Sequence, residues 1–503
     1  MNPQISGFPQ QELASSCCGR IFPLNWQVFL LKKVCYLYHV IIKKHERDRL
    51  MRTKISNEKY FNFAGESDLK IVNEYREKYE MLSMILDANP DLLSQAHQDW
   101  VQLLSTSDEG RDGYTSEQLL RALIVLFIEG KNYRRTVVLI DNSEFLQYFV
   151  RLGVMSTMDF TFLNRAYNAL QATTIDTMNN ILTGYAITEE MISAEKQRMD
   201  TTVYETNIHY PTDSSLLWDS FRTLARLIRS IQNELPQLNL GHRFHDKKVK
   251  KLATFIARNA SSKSKKTQRK VKCTYTKLIN RARWIHGTGI QVSDKVFAAG
   301  YDVPELSHYL PLVEKIIEQA DKRIIKGEKV PPDEKLYSLF EEHTELIVRG
   351  KAGKPIEFGH KILIAQTGEK FIHHYKVMEK RIEDKELLMP AVEAHKEMFG
   401  SYPDVLSTDK GFYESMQQIS SLEEKIPVVS ISKKGRRNQA EYERETSDAF
   451  VDGQRFRAGS EGSISVLKRA FKLGKCFFKG FKNYAASVGF AVLCHNLVLL
   501  TRL

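Results

Sequence analysis

The sequence has few cysteines, and they form none of the usual structural patterns. Six cysteines occur in 503 residues, without a Cys-x-x-Cys pair or a regular spacing. That pattern excludes a disulfide framework and a zinc knuckle, and a metal site of His242, His245 and Cys273 is conceivable but disfavoured. Such cysteine usage predicts a reducing compartment. Proline and glycine, with 14 and 26 residues, are too scarce for a disordered or fibrous chain.

Signals for secretion or membrane insertion are also lacking. The start of the chain has neither the basic residues nor the apolar run of a secretory signal. Residues 483–501 carry no charge, but they contain Ser487, His495 and Asn496. These polar residues suit a buried C-terminal helix better than a membrane span. We therefore expect a cytoplasmic protein with no membrane partner.

The positive charge of the chain is concentrated in one segment. The net charge is +12, and residues 243–283 hold fifteen Lys and Arg against one acid, Asp246, so the rest of the chain is close to neutral. A segment of this kind suits a polyanion, most often a nucleic acid, although a solvated basic surface without a partner is the alternative. The lysines expected to contact DNA phosphates are Lys247, Lys248, Lys250, Lys251, Lys265 and Lys266.

The N-terminal part of the chain is predicted to be helical. Residues 1–60 look like an extension that need not be native, and residues 61–190 show helical periodicity, most clearly from Glu117 to Ile128. Within the helical region, residues 156–165 resemble the second half of a helix-turn-helix, from which Arg165 is able to reach DNA. A plain helical bundle is the alternative to this DNA-binding region.

Strand patterns begin after residue 190. Residues 198–210 are rich in β-branched and aromatic side chains, as strands are. A basic helical insertion is expected over residues 216–344. After it come a hairpin, a helix that ends at Gly400, two strands and closing helices; the strands span 355–366, 370–378, 404–408 and 426–432. Without the insertion, this order resembles an α/β ribonuclease H-like fold formed by residues 191–215 and 345–503.

Three acidic residues stand where that fold places its metal ligands. Asp200 lies on the first strand, Asp409 follows the fourth, and Glu461 belongs to a later helix. Carboxylates are the ligands that Mg²⁺ prefers, and two such ions promote phosphoryl transfer. The alternatives are an edge-strand charge for Asp200, a turn residue for Asp409 and a helix N-terminal acid for Glu461.

Cationic residues are predicted to follow Glu461 along its helix. At about 100° per residue, Lys468 and Lys472 lie on the same side of the helix as Glu461. Ile464, Leu467 and Phe471 form a separate apolar stripe. The cationic row would suit a track of DNA phosphates that leads away from the metal site.

Three stretches carry a specific resemblance. Residues 200–217, Ser407–Phe412 and Arg457–Arg469 resemble DDE-class transposases of bacterial insertion sequences, particularly the ISNCY group, over residues 110–503. Related transposases carry a Tyr-(2)-Arg-(3)-Glu-(6)-Lys pattern. Arg457, Glu461 and Lys468 keep that spacing, but Gln454 stands where the tyrosine would be, which puts a tyrosine role there in doubt. The resemblance implies that Arg457 and Lys468 contact DNA phosphates.

The resemblance implies an Mg²⁺-dependent transposase, with Mn²⁺ able to substitute. We expect it to bind the terminal inverted repeats of its element, cut the DNA ends and join them to target DNA. Because two ends must be held together, a homodimer or larger assembly on double-stranded DNA is implied, associated with the nucleoid. The alternatives are a decayed or domesticated transposase that binds DNA without cutting it and a ribonuclease H-like repair nuclease.

Overall fold

The computed structural model describes residues 54–55, 67–104, 113–153, 155–351 and 353–503. The extension predicted over residues 1–60 lies outside the described residues, apart from Lys54 and Ile55. Within the described residues, helices combine with one mixed sheet of seven strands. The predicted α/β class is therefore confirmed.

The first described part of the chain, before any strand, is entirely helical. Its helices are α1 (Lys70–Ala88), α2 (Pro90–Leu103), α3 (Ser116–Ile128), α4 (Tyr133–Asp141), α5 (Glu144–Val150), α6 (Phe160–Ala169) and α7 (Ala172–Thr188). α3 follows its local signals. The Thr115 hydroxyl accepts a hydrogen bond from the Gln118 amide at 3.2 Å, and the Gln118 side chain accepts one from the Thr115 amide at 2.9 Å. This reciprocal cap fixes the start of α3.

The sheet is organised around its first strand. The strands are β1 (Lys196–Thr206), β2 (Glu345–Lys351), β3 (Lys354–Gln366), β4 (Ile372–Val377), β5 (Val405–Thr408), β6 (Val428–Ser430) and β7 (Lys475–Cys476). β1 pairs antiparallel with β3 and parallel with β5, and β5 pairs parallel with β6. β2 and β4 pair with β3, whereas β7 pairs with the end of β1. β1 therefore joins an antiparallel half of the sheet to a parallel half.

A helical bundle is inserted between β1 and β2. Its long helices are α8 (Asp213–Glu234), α9 (Asp246–Asn259), α10 (Lys265–Ala298) and α11 (Pro304–Ala320). They surround a hydrophobic core of their own, which extends from Leu216 to Leu339. The two ends of the bundle meet, because Arg323 forms an ion pair with Asp213 at 2.9 Å. The bundle thus begins slightly earlier than the predicted 216–344.

The remaining helices cover both faces of the sheet. They are α12 (Asp384–Phe399), α13 (Met416–Glu423), α14 (Gln439–Thr446), α15 (Asp448–Ala470) and α16 (Gly480–Leu500). α12 ends at Gly400, whose φ of +78° is that of a left-handed helix terminus, as the sequence predicts. α12 and α13 pack with Met199 and Leu363 of the sheet in one core.

The N-terminal helices share a core with the sheet and do not form a separate one. That core joins α1–α7 and α16 to Tyr204, Ile362 and Ile364. Among the described residues, α16 is the one helix long and apolar enough to cross a membrane, but 83% of the relevant window is buried in the protein. Its Asn496 amide bonds both the amide and the carbonyl of Ile372, at 3.0 and 2.8 Å. α16 therefore has the contacts of a core helix.

Several histidines are buried in these cores as neutral side chains. Burial lowers the pKa of His360, His374, His395 and His495 to about 4, and that of His373 further still. His395 Nε2 donates to the Ala194 carbonyl at 3.1 Å, and His395 Nδ1 lies 3.5 Å from His373 Nε2. The carbonyl partner means that the imidazole carries its proton on Nε2, the nitrogen that faces Ala194.

We predict that His395 makes the protein less stable in mild acid. The unfolded histidine has a pKa of about 6.5, so between that pH and 4 the unfolded state binds more protons, and stability falls as the pH falls. At pH 5 this one residue should lower the free energy of unfolding by about 2 kcal/mol relative to pH 7.5. Urea unfolding of the wild type and of His395→Gln at both pH values measures the difference.

The control for this measurement is His308→Gln, because His308 is exposed. His308→Gln should keep the pH dependence of the wild type, whereas His395→Gln should reduce the loss of stability between pH 7.5 and pH 5 by about 2 kcal/mol. Equal pH dependence in all three proteins would show that His395 takes up its proton equally well in the folded state.

Candidate active site

Asp200 on β1 and Asp409, the residue directly after β5, lie side by side. The parallel pairing of β1 with β5 sets Arg198 beside Ser407 and Met199 beside Thr408. The next residues along the two strands are Asp200 and Asp409. Adjacent strands are about 4.8 Å apart, so the two carboxyl groups share one small region of the sheet. The structure thus brings the first two of the three predicted acids together.

The surroundings of Asp200 show how close the two acids are. Asp200 is half-buried, and burial together with the Asp409 carboxylate raises its pKa to about 6. A hydrogen bond from the Thr201 amide and the charges of Arg457 and Arg349 act in the opposite direction. Two carboxylates held together in this way favour a bound cation or a shared proton.

A glycine next to Asp409 leaves room for its carboxylate. Asp409 Oδ1 accepts a hydrogen bond from the Gly411 amide at 2.8 Å. A Cβ atom at position 411 would lie 2.7 Å from this oxygen and 3.1 Å from Asp384 Oδ2. Any side chain at position 411 would therefore displace Asp409.

α15 packs across the ends of β1, β5 and β6. A Cβ atom on Gly453 would lie 2.5 Å from Ser430 Cβ and 3.1 Å from Ser407 Oγ, so only glycine allows this approach. The Gln454 amide donates to the carbonyls of Ser430 and Thr408 at 2.7 and 3.3 Å. Gln454 thus bonds Thr408, the residue just before Asp409.

Glu461 lies on α15 but does not join the two aspartates directly. Its side chain is 74% exposed, and Arg457 Nη2 lies 3.7 Å from its carboxylate. Arg457 is in turn close enough to influence Asp200. Among the described residues, no group of three or more His, Cys, Asp or Glu side chains is arranged to hold a metal ion, and this includes His242, His245 and Cys273.

The donor set nevertheless suits a divalent cation in part. Asp200 and Asp409 offer hard oxygen ligands from two rigid backbone positions, and their mutual repulsion would be relieved by a positive ion. Glu461 would complete three carboxylates only after its side chain left Arg457. The two aspartates therefore offer two ligands of the kind that a divalent cation prefers, and Glu461 does not supply a third in this arrangement.

Lys472 is placed differently from the prediction. α15 ends at Ala470, and Lys472 follows it with a φ of +65°. The predicted helical row of cations therefore stops before Lys472, whose amine donates to the Lys131 carbonyl and lies 5.6 Å from the Phe127 ring centre. Burial lowers the pKa of Lys472 to about 8. The side chain connects α15 to the N-terminal helices and does not face outward as a phosphate ligand would. Lys468 remains on the helix, half-buried.

The basic segment forms an exposed surface on the inserted bundle. The side chains of Lys247, Lys248, Lys250, Lys251, Lys265 and Lys266 are all exposed. An open concavity of about 530 Å³ follows α9 and is lined by Lys247, Lys250, Lys251, Thr254, Phe255, Arg258 and Asn259. Since these residues share one side of α9, their charges can act on one ligand.

Arg165 is likewise exposed, on α6, with its guanidinium 5.4 Å from the Phe162 ring centre. Asp159 caps α6 by accepting from the Thr161 amide at 2.8 Å. The helix-turn-helix role of this region stays a prediction.

Two arginines at the site were missed from the sequence. Arg349 of β2 is near enough to lower the pKa of Asp200, and Arg198 of β1 is buried between the sheet and α15. No periodicity or motif distinguishes either residue, because their positions depend on strand pairing. Strand β2 itself falls in a stretch that the sequence pattern left between the insertion and the hairpin.

We predict opposite effects for two glycines on α15. Gly453→Ala should destabilise the protein by about 1–3 kcal/mol, because the added methyl group collides with the rigid Cβ of Ser430. Gly462→Ala meets nothing within 4 Å and should stabilise the helix by up to about 1 kcal/mol. Thermal unfolding of both variants tests this. Equal effects would mean that α15 does not pack this tightly on the sheet.

Comparison with protein-family models, curated proteins and solved structures found no match for this chain. What the protein does must therefore be inferred from the site itself. The relevant features are two adjacent aspartates, two arginines beside them and a separate basic surface.

Proposed function

We propose that this chain is a DDE-class transposase with a ribonuclease H-like catalytic domain. The strand arrangement supports the fold: a first strand lies between an antiparallel hairpin on one side and two parallel strands on the other. The helical bundle interrupts this domain after the first strand. In this proposal, the bundle and the N-terminal helices bind DNA, while the sheet and α15 carry the chemistry.

The observation that carries the proposal is the side-by-side placement of Asp200 and Asp409. These residues are more than two hundred positions apart in the sequence, yet the β1–β5 register brings them together. A pair of half-buried acids with no lysine bridging them is costly for stability and points to a functional role. Divalent ions held by such carboxylates supply Lewis-acid stabilisation for phosphodiester cleavage and joining.

The arginines near the aspartates have a role in holding DNA. Arg457 is 22% exposed, and it lies near both the exposed Glu461 and the half-buried Asp200. A guanidinium at this place can bind a phosphate oxygen with two parallel hydrogen bonds. Phosphate binding would draw Arg457 away from Glu461 and free that carboxylate to turn toward the two aspartates. Lys468, further along α15, extends the cationic side of the helix.

The basic surface of α9 and the start of α10 would bind DNA outside the catalytic site. Its exposed lysines form sequence-independent phosphate contacts, which position the duplex and add affinity. Recognition of the element ends is assigned to the N-terminal helices, including Arg165. Since both ends must be held at once, a homodimer or larger assembly is proposed.

One observation favours a second candidate, a DNA-binding protein without cleavage activity. Glu461 is mostly exposed and lies beside Arg457, so the three acids are not assembled. A decayed transposase would retain the basic surface and show this arrangement permanently. The two candidates differ in whether the protein cuts DNA that carries the element ends.

We predict that Asp409→Asn abolishes cleavage while DNA binding persists. Asparagine keeps the acceptor for the Gly411 amide but removes the negative charge that a metal ligand needs. Loss of a direct ligand should reduce the rate by more than the roughly 100-fold typical of outer ligand-shell changes. Asp200→Asn and Glu461→Gln should do the same. Cleavage of end-containing DNA in Mg²⁺ measures the effect, and Ca²⁺ should not support it.

The matched control is Asp452→Asn. Asp452 lies on the same helix as Glu461 but is exposed and paired with Arg455 at 2.7 Å. The Asp452→Asn protein should cleave DNA at the wild-type rate. Wild-type activity of Asp409→Asn would refute the site, and absence of cleavage by the wild-type protein, with intact DNA binding, would favour the second candidate.

The basic surface should set the salt dependence of DNA binding. Each phosphate contact contributes about −0.9 to the slope of log affinity against log salt. Changing Lys247, Lys250, Lys251 and Lys266 together to Gln should flatten the slope by up to roughly 3–4 units on element ends and random duplex alike. Salt titrations of binding provide the measurement.

The control replaces four exposed lysines outside the bundle and the N-terminal helices, Lys380, Lys396, Lys425 and Lys482. This protein should keep the wild-type slope. An unchanged slope in the variant of the basic surface would show that these lysines are solvated and do not bind DNA. Selective loss of binding to element ends would show that the bundle recognises those ends.

A further inference from the structure

Arg198 is a buried arginine on the same strand as Asp200. It is 3% exposed and precedes Asp200 by two residues, so both side chains lie on the face of the sheet that α15 covers. Its guanidinium donates three hydrogen bonds: Nε to Gln366 Oε1 at 3.2 Å, Nη1 to the Phe456 carbonyl at 3.0 Å and Nη2 to Ser463 Oγ at 3.2 Å. Arg198 thus connects β1 and β3 to α15.

The partners of Arg198 are all neutral. Within the described chain, no carboxylate lies within 4.0 Å of its guanidinium, although other buried arginines have them, as Arg121 has Glu117 and Asp87. Burial lowers the pKa of Arg198, but an arginine keeps its charge in a protein. A buried charge without a counter-ion is poor evidence for a gain in stability. The positions of the hydrogen-bond acceptors of Arg198 offer a better explanation for a buried arginine at this place.

The two acceptors on α15 lie on either side of the residues proposed to act on DNA. Phe456 immediately precedes Arg457, and Ser463 follows Glu461 by two residues. The two acceptor residues are seven positions apart, about two turns of helix. Because the Phe456 carbonyl points toward the C-terminal end of α15 and the Ser463 side chain leans toward its N-terminal end, both acceptors reach the same guanidinium. A rigid planar group attached at two such points fixes both the rotation of α15 and its position along the axis.

The packing around Arg198 is specific to its shape. A Cβ atom on Gly459 would contact Arg198 Nη1, so glycine at this position leaves the space that the guanidinium occupies. The Arg198 guanidinium also lies 4.9 Å from the Phe456 ring centre. Gly459 lies between the two acceptor residues, and Phe456 supplies both an acceptor and a ring contact. A lysine side chain lacks the planar group that makes these contacts.

We infer that Arg198 is a positioning residue that holds the Arg457–Glu461 segment of α15 at a fixed distance from Asp200 and Asp409. This role rests on the proposed function, because it matters only if Glu461 must approach the two aspartates. Arg198 touches neither DNA nor metal in this role. Its effect on cleavage passes through the placement of α15.

The test uses Arg198→Lys and Ser463→Ala. Lysine keeps the positive charge but cannot bond both acceptors on α15, and alanine at position 463 removes one acceptor with little change in volume. Arg455→Lys is the matched control, since Arg455 is exposed on the same helix. Four quantities are measured in the full-length protein: the melting temperature, affinity for element-end DNA, the Mg²⁺ concentration for half-maximal cleavage, and amide hydrogen exchange over residues 456–463.

We expect Arg198→Lys to raise the half-maximal Mg²⁺ concentration roughly 10- to 100-fold, as outer ligand-shell changes do, and Ser463→Ala to raise it less. Both should speed exchange at residues 456–463 and change DNA affinity far less than the Mg²⁺ requirement, because the basic surface of α9 carries most of the proposed phosphate contacts. If Arg198→Lys loses its fold, Ser463→Ala decides the question. Wild-type Mg²⁺ dependence and exchange in a folded variant would overturn the inference.

The exchange measurement separates this inference from the proposed function. If the wild-type protein fails to cut DNA, the proposed function fails, while faster exchange in the variants would still show that Arg198 fixes α15. If the wild-type protein cuts DNA and the exchange of α15 is unchanged in both variants, only the role of Arg198 fails.

Discussion

The pairing of β1 with β5 is the constraint on which the site depends. It places two carboxylates beside each other in a half-buried position, where burial and the neighbouring Asp409 carboxylate raise the pKa of Asp200. Neighbouring features accommodate this pair. Gly411 leaves space for one carboxylate, and Arg349 and Arg457 supply positive charge near the other. α15 packs over the same region, and Gly453 allows the sheet to approach the helix backbone closely.

The parts that the sequence predicts well are those set by neighbouring residues. α3 follows from its capping residues and apolar periodicity, and the end of α12 follows from Gly400. β1 and the β3–β4 hairpin follow from β-branched residues and a turn. Asp200 and Asp409 were identified because each stands at a recognisable place next to a strand.

The parts that the sequence does not predict depend on contacts between distant segments. Arg198 has the same sequence character as any charged residue on a strand, and only the packing of α15 makes it buried. In the sequence, Lys472 has helical spacing from Glu461. In the structure, α15 ends before Lys472, which has a left-handed backbone conformation. The exposure of Glu461 likewise depends on the Arg457 side chain. A prediction from helical periodicity holds only while the helix continues, and it does not show which side chains from other segments pack against the helix.

The inserted bundle also has a consequence for how the protein folds. β1 must pair with β3, about 160 residues later in the chain, and closing so long a loop costs entropy before any strand contact forms. The bundle has its own core, and its ends are tied by the Arg323–Asp213 ion pair. Once the bundle has folded, the connection between β1 and β3 is a compact unit whose two ends lie close together, and not a long flexible loop. The folded bundle therefore brings β1 and β3 within pairing distance. We expect the sheet to assemble after the bundle has folded.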